Sequence, residues 1–138
     1  MRNGILRVSV AILALVSVEL GVWATFAPRS FFDDYPGLGR HWVRAYAPYN
    51  EHLVRDFGAL NLALAVMTIA ALITLGRPLL IAVAIAWLAW GVPHLVYHLR
   101  HLDVLSTGDK VANVGGLVAV PVLAVVVLVL ALGRPARA

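Results

Sequence analysis

The sequence contains no cysteine, which excludes disulfides, a thiolate nucleophile and any metal cluster held by cysteine. Charged residues make up only 13% of the chain, whereas soluble domains average about 25%. The sequence also has no Walker, Rossmann or Gly-x-Ser-x-Gly pattern, so nothing in it indicates nucleotide chemistry. These absences point away from an ordinary soluble enzyme.

The charged residues that are present are mostly basic, with 11 Lys and Arg against 7 Asp and Glu. Such a balance can accompany nucleic-acid binding. Here the bases are spread over both ends and every loop, and no basic stripe is interleaved with aromatic residues. We therefore expect no nucleic-acid partner.

Apolar residues, in contrast, make up 62% of the chain. Four long runs carry few charges: Ile5–Phe26, Leu53–Leu75, Leu79–Leu99 and Val111–Leu132. At about 1.5 Å per residue, each can cross a hydrocarbon core of about 30 Å as a helix. The sequence predicts an all-α fold, a four-helix transmembrane bundle that forms one integral membrane domain over residues 1–138. A cleaved signal peptide in place of the first span is disfavoured by Glu19 within the run.

The distribution of bases predicts the orientation of the bundle. The chain ends and the turn at residues 76–78 carry bases and no acid: Arg2, Arg7, Arg77, Arg134 and Arg137. These bases lie in short segments directly against the membrane, whereas those on the other side are spread along longer segments together with the acids. We expect both termini in the cytoplasm and the protein in the inner (plasma) membrane of a bacterial cell.

The long first connection, residues 28–51, carries aromatic residues between turn signals. Its stretch RHWVRAYA, residues 40–47, places Trp42 and Tyr46 four residues apart, which predicts a short helix lying in the membrane interface. Phe31 and Phe32 are expected to dip into lipid. This segment can cap a site in the bundle, or it can be a plain aromatic anchor.

Several polar residues interrupt the spans at a similar depth, in the half of the bundle nearest the long connection: Glu19, Asp56, His94, His98 and Asn113. Ionisable groups within a span are unfavourable unless they face the bundle interior and find partners. His94 and His98 share one helical face, and so do His52 and Asp56. The sequence thus indicates a shared polar site.

Imidazole and carboxylate groups on neighbouring helices suit a divalent metal, Zn or Fe. The predicted ligands are His94, His98, Glu19, Asp56 and His52, converging within a few ångströms. Haem between His52 and a histidine of the third span is disfavoured, because the stripe lacks small residues that would make room for a porphyrin. His101 is expected to lie outside the site, in the headgroup zone beside Tyr97.

The same polar residues can also be present without binding a ligand. They can form a structural network that holds the helices together through hydrogen bonds and ion pairs. They can also lie at the membrane interface without a shared role. The sequence leaves both alternatives open.

The stretch GVWATFAPRSFF at the end of the first span and the acid within that span resemble the DoxX-like small bacterial membrane proteins. The resemblance covers the whole chain and implies a four-helix fold. The residues themselves suggest a metal site that acts on, or passes electrons to, a membrane-soluble substrate such as a quinone or an isoprenoid lipid. One alternative is a non-catalytic accessory subunit of a larger membrane complex, and the chain can also form a homo-oligomer. Another is a metal-free lipid isomerase that uses Glu19 and a histidine as acid and base.

Overall fold

A computed structural model of the chain describes residues 1–46 and 48–135. Within these ranges the chain forms five α-helices: α1 (Arg2–Phe26), α2 (Pro28–Asp34), α3 (Glu51–Thr74), α4 (Arg77–Arg100) and α5 (Thr107–Leu132). Two short antiparallel strands, β1 (Pro36–Gly37) and β2 (Arg40–His41), follow α2, and a 3-10 turn at Leu102–Val104 precedes α5. Arg137, one of the bases used for orientation, lies outside the described residues.

The four long helices confirm the predicted all-α four-helix bundle. Each has 24 to 26 residues and is apolar enough to cross a membrane. The helices begin two to four residues before the predicted spans. Two of these earlier starts have caps, because Asn50 accepts a hydrogen bond from the Leu53 amide and Ser106 accepts one from the Asp109 amide.

The four long helices form a ring in the order α1, α3, α4, α5. Each line of contact between two neighbouring helices, here called a seam, has its own contact. Between α1 and α3, a Cβ atom at Gly58 would lie 2.6 Å from the Thr25 amide nitrogen, so glycine allows this close approach. Between α3 and α4, the Trp87 indole donates to the Thr68 hydroxyl at 3.0 Å. Between α4 and α5, a Cβ at Gly91 would touch Val120 at 3.4 Å.

Helices α1 and α5 are joined at the end of the bundle that holds both termini, here called the terminal end. Arg2 donates to the Gly133 carbonyl at 2.6 Å, and Arg134 donates to Asn3 at 3.2 Å. The largest buried cluster lies on the same side and includes Leu6, Val10, Trp87, Val127 and Ala131. The terminal half is therefore densely packed.

The opposite end of the bundle, the loop end, is built differently from the sequence-based expectation. The short helix of the first connection is α2, and residues 40–46 form β2 and a turn instead of the predicted interfacial helix, whose last residue, Ala47, lies outside the described residues. Trp42 and Tyr46 contact different parts of the protein, which overrides their helical spacing. Phe31 and Phe32 do not face lipid, because they are only 3% and 6% exposed and pack in a second core cluster.

Candidate functional site

A cavity of about 490 Å³ lies at the loop end, between the four long helices and the first connection. Its volume falls within the range of about 300–1,000 Å³ that is typical of small-molecule sites. Aromatic side chains from four elements form much of its wall: Phe31, Phe32, Tyr35, Trp42, Phe57 and Trp90. The cavity can thus accommodate a largely apolar molecule.

Besides Asn50 and the tyrosines, four polar side chains from three of the long helices line the same cavity. Glu19 lies on α1, His94 and His98 lie on α4, and Asn113 lies on α5. The sequence predicts these four residues at a similar depth, and the structure brings them to one cavity. A molecule in this cavity can therefore meet a carboxylate, imidazoles and an amide.

The two histidines belong to a continuous row of rings along α4. The Trp90 ring stacks on His94 with centroids 4.9 Å apart, and His94 meets His98 edge-to-face at 4.6 Å. The Tyr46 hydroxyl lies 3.0 Å from His98 Nδ1. The first connection thereby fixes the orientation of the His98 ring over the cavity.

The segment of residues 40–46, here called the cover, is held against the start of α5 by one carboxylate. Asp109 accepts hydrogen bonds from Arg40, from the Trp42 indole at 2.8 Å and from the Ser106 hydroxyl at 2.6 Å. Because Trp42 and Tyr46 both line the cavity, this attachment holds part of the cavity wall in place.

Tyr35 follows α2 and lines the cavity. Burial, assisted by the negative charge of Glu19, raises the pKa of Tyr35 to about 12. The phenol therefore stays protonated at neutral pH and keeps a hydroxyl hydrogen available to the cavity.

The wall between α1 and α5 contains exposed residues. Glu19 and Gly116 line the cavity and are also exposed, and a Cβ atom added at Gly116 would have no other atom within 4 Å. The hydrogen bonds that join the ends of these two helices, from Arg2 and Arg134, lie at the terminal end. The cavity thus borders exposed residues along the α1–α5 seam.

Two of the predicted ligands do not belong to this site. His52 and Asp56 contact each other at 3.3 Å on an exposed face of α3, and their side chains are 87% and 58% exposed. The buried face of α3 includes Val54 and Gly58, and Asp56 lies about 200° around the helix from Val54. Of the five residues expected to converge, Glu19, His94 and His98 line the cavity, whereas His52 and Asp56 do not.

The predicted metal ligands are not grouped around one point in the structure. Among residues 1–46 and 48–135, no group of three or more His, Cys, Asp or Glu side chains is arranged to hold a metal ion. His101 lies outside the cavity, where its ring stacks on Tyr97 at a centroid distance of 4.3 Å. Zinc, iron and haem binding remain predictions from the sequence alone.

Asp109 organises the cover, yet the sequence-based prediction of the site did not include it. A signal was present, because Ser106 and Asp109 stand three residues apart before an apolar run, as in a helix-capping box. The contribution of Phe31, Phe32 and Trp90 had no comparable signal, since aromatic residues near a membrane interface suit lipid as well as a binding cavity.

Comparisons with protein families, with curated proteins and with solved structures find no match to this chain. The function must therefore be inferred from the cavity itself. Its aromatic walls suit the apolar body of a ligand, and its carboxylate, imidazole and amide groups suit a polar head.

Proposed function

We propose that this chain is an integral membrane protein that binds a membrane-soluble small molecule with an apolar body and a polar head. The observation that carries the proposal is the cavity at the loop end, which is lined by aromatic side chains together with Glu19, His94, His98 and Asn113. Burying polar side chains in a span is unfavourable, and a ligand that pairs with them offsets this cost.

The α1–α5 seam supports a ligand that comes from the bilayer. Trp42 and Tyr46 of the cover line the cavity at the loop end, and Gly91 packs against Val120 between α4 and α5. Around Gly116 the α1–α5 seam has exposed residues next to the cavity, towards the region that lipid would occupy. A lipophilic molecule dissolved in the membrane can reach the polar residues along this route.

The polar residues also suit proton exchange with the ligand. Carboxylate and imidazole groups are common general acids and bases, and both line the cavity as Glu19 and His98. This supports a ligand that gains or loses protons, such as a quinone and its reduced form. A metal would need donors beyond the adjacent His94–His98 pair, from water or from the ligand itself.

We propose further that both termini are cytoplasmic, in the inner membrane of a bacterium. The terminal end carries Arg2, Arg77 and Arg134, close to the ends of their helices. This concentration of bases favours the cytoplasmic side, so the cavity would face the outer leaflet.

The binding proposal is tested with two lipophilic probes of similar size, tritium-labelled nonylphenol and its methyl ether, nonylanisole. Purified protein in lipid nanodiscs is titrated with each probe by scintillation proximity, and empty nanodiscs correct for partition into lipid. We expect saturable binding of at least one probe, with one molecule bound per chain. If neither probe binds saturably, the proposal is wrong.

A further inference from the structure

Asn113 has a property that the other polar residues of the cavity do not share. It is only 4% exposed, and its Oδ1 atom has no hydrogen-bond partner among residues 1–46 and 48–135. A buried polar atom without a partner is unfavourable and uncommon in folded proteins. Because Asn113 lines the cavity, a bound molecule can supply the missing partner.

An unpaired amide oxygen alone would not indicate a ligand, as Asn61 shows. Asn61 is 2% exposed, and its Oδ1 also lacks a partner in the described part of the chain. Its amide nitrogen, however, donates to the Phe57 carbonyl at 2.9 Å within α3, and Asn61 does not line the cavity. Asn113 is distinguished by lining a cavity large enough for a ligand.

We infer that the polar head of the ligand carries a hydroxyl group, and that this hydroxyl donates a hydrogen bond to Oδ1 of Asn113. The inference rests on the proposed function and specifies its ligand as a lipophilic alcohol or phenol. The oxygen of an amide accepts hydrogen bonds, so its partner must bring a hydrogen. A ketone, an ether or a fully oxidised quinone has no hydrogen to donate.

A charged donor fits this position less well than a neutral hydroxyl. The cavity residues next to Asn113 on α5 are Gly116, Leu117 and Val120, none of which carries a charge. Removing an ammonium group from water into such surroundings is far more unfavourable than removing a hydroxyl. A neutral hydroxyl also leaves Glu19 free to accept or return a proton.

The same two probes test the inference, because nonylphenol has a hydroxyl and nonylanisole carries a methyl group in its place. After correction for partition, we expect the wild-type protein to bind nonylphenol about tenfold more tightly, as for one buried hydrogen bond. This comparison needs no variant and holds even if a substitution impairs folding.

Two variants then test whether Asn113 causes the preference for nonylphenol over nonylanisole. In Asn113→Leu the difference between the two probes should fall to about twofold or less, whereas Asn61→Leu should keep the wild-type ratio. Dodecylamine serves as a competitor that carries a charged donor, and we expect it to displace nonylphenol poorly.

The outcomes separate this inference from the proposed function. Equal binding of both probes to the wild type would support the ligand site but overturn the proposed hydroxyl donor to Asn113. A preference for nonylphenol that survives in Asn113→Leu would have the same meaning. Stronger binding of dodecylamine than of nonylphenol would also overturn it. Saturable binding of neither probe would overturn the proposed function itself.

Discussion

Gly116 and Gly115 offer a matched pair of substitutions for testing the cavity. Both glycines lie on α5, both are exposed, and a Cβ atom at either position would have no other atom within 4 Å. Only Gly116 lines the cavity. Leucine at both positions therefore makes the same chemical change with a Cβ atom that meets no neighbour, and only Gly116→Leu places the new side chain at the cavity wall.

The size of the effect follows from the cavity volume. The four carbon atoms of a leucine side chain occupy roughly 120 Å³, if each takes about the 30 Å³ of a water molecule in the liquid. This is about a quarter of the 490 Å³ cavity. A ligand that loses room for four heavy atoms, at about 0.3 kcal/mol each, loses about 1.2 kcal/mol. Its affinity should then fall about eightfold.

The assay is the equilibrium titration of nonylphenol in nanodiscs, accompanied by the association rate. We expect Gly116→Leu to weaken binding and to slow association, because the new side chain narrows the α1–α5 seam. Gly115→Leu should match the wild type in both measurements. Equal affinities and equal association rates in all three proteins would refute the location of the site, whereas equal affinities with slower association in Gly116→Leu would confine Gly116 to the access route.

Two further predictions concern stability and orientation. Thr68→Val leaves the buried Trp87 indole without its acceptor and should lower the free energy of unfolding by about 1–3 kcal/mol in detergent titrations. The control Thr74→Val, at an exposed site, should change this free energy little. Similar losses in both variants would contradict the assigned role of the α3–α4 hydrogen bond. In intact cells, an impermeant maleimide should label Leu38→Cys at the loop end and should not label Gly4→Cys near the N-terminus, and the reverse pattern would invert the proposed orientation.

The spans were predictable because a membrane imposes a minimum length on an uncharged helix, and few other structures need such runs. The position of α2 was not predictable in the same way. Phe31 and Phe32 carry no mark that separates a side chain facing lipid from one buried in protein, since both surroundings favour the same residues. Their burial depends on contacts between α2 and the long helices, which local sequence does not contain.

The sequence allows the level of each site residue along its helix to be predicted, but not which face of the helix points into the bundle. Counting residues from the helix ends places Glu19, His98 and Asp56 at similar levels, because the rise per residue is fixed. Helical periodicity also shows which residues share a face, such as His52 and Asp56. It does not show which face points inward, and in α3 the inward face is the one with Gly58, which packs against α1.

The different packing of the two halves gives a physical reason why an open site can persist in so small a bundle. A void lined by apolar groups loses dispersion contacts and lowers stability. Here the terminal half compensates with a densely packed core around Trp87 and with the Arg2 and Arg134 hydrogen bonds between α1 and α5. At the loop end, the Asp109 contacts hold the cover without filling the space beneath it. Stability and access thus rest on opposite ends of the same helices, so a ligand could enter and leave along the α1–α5 seam without opening the core.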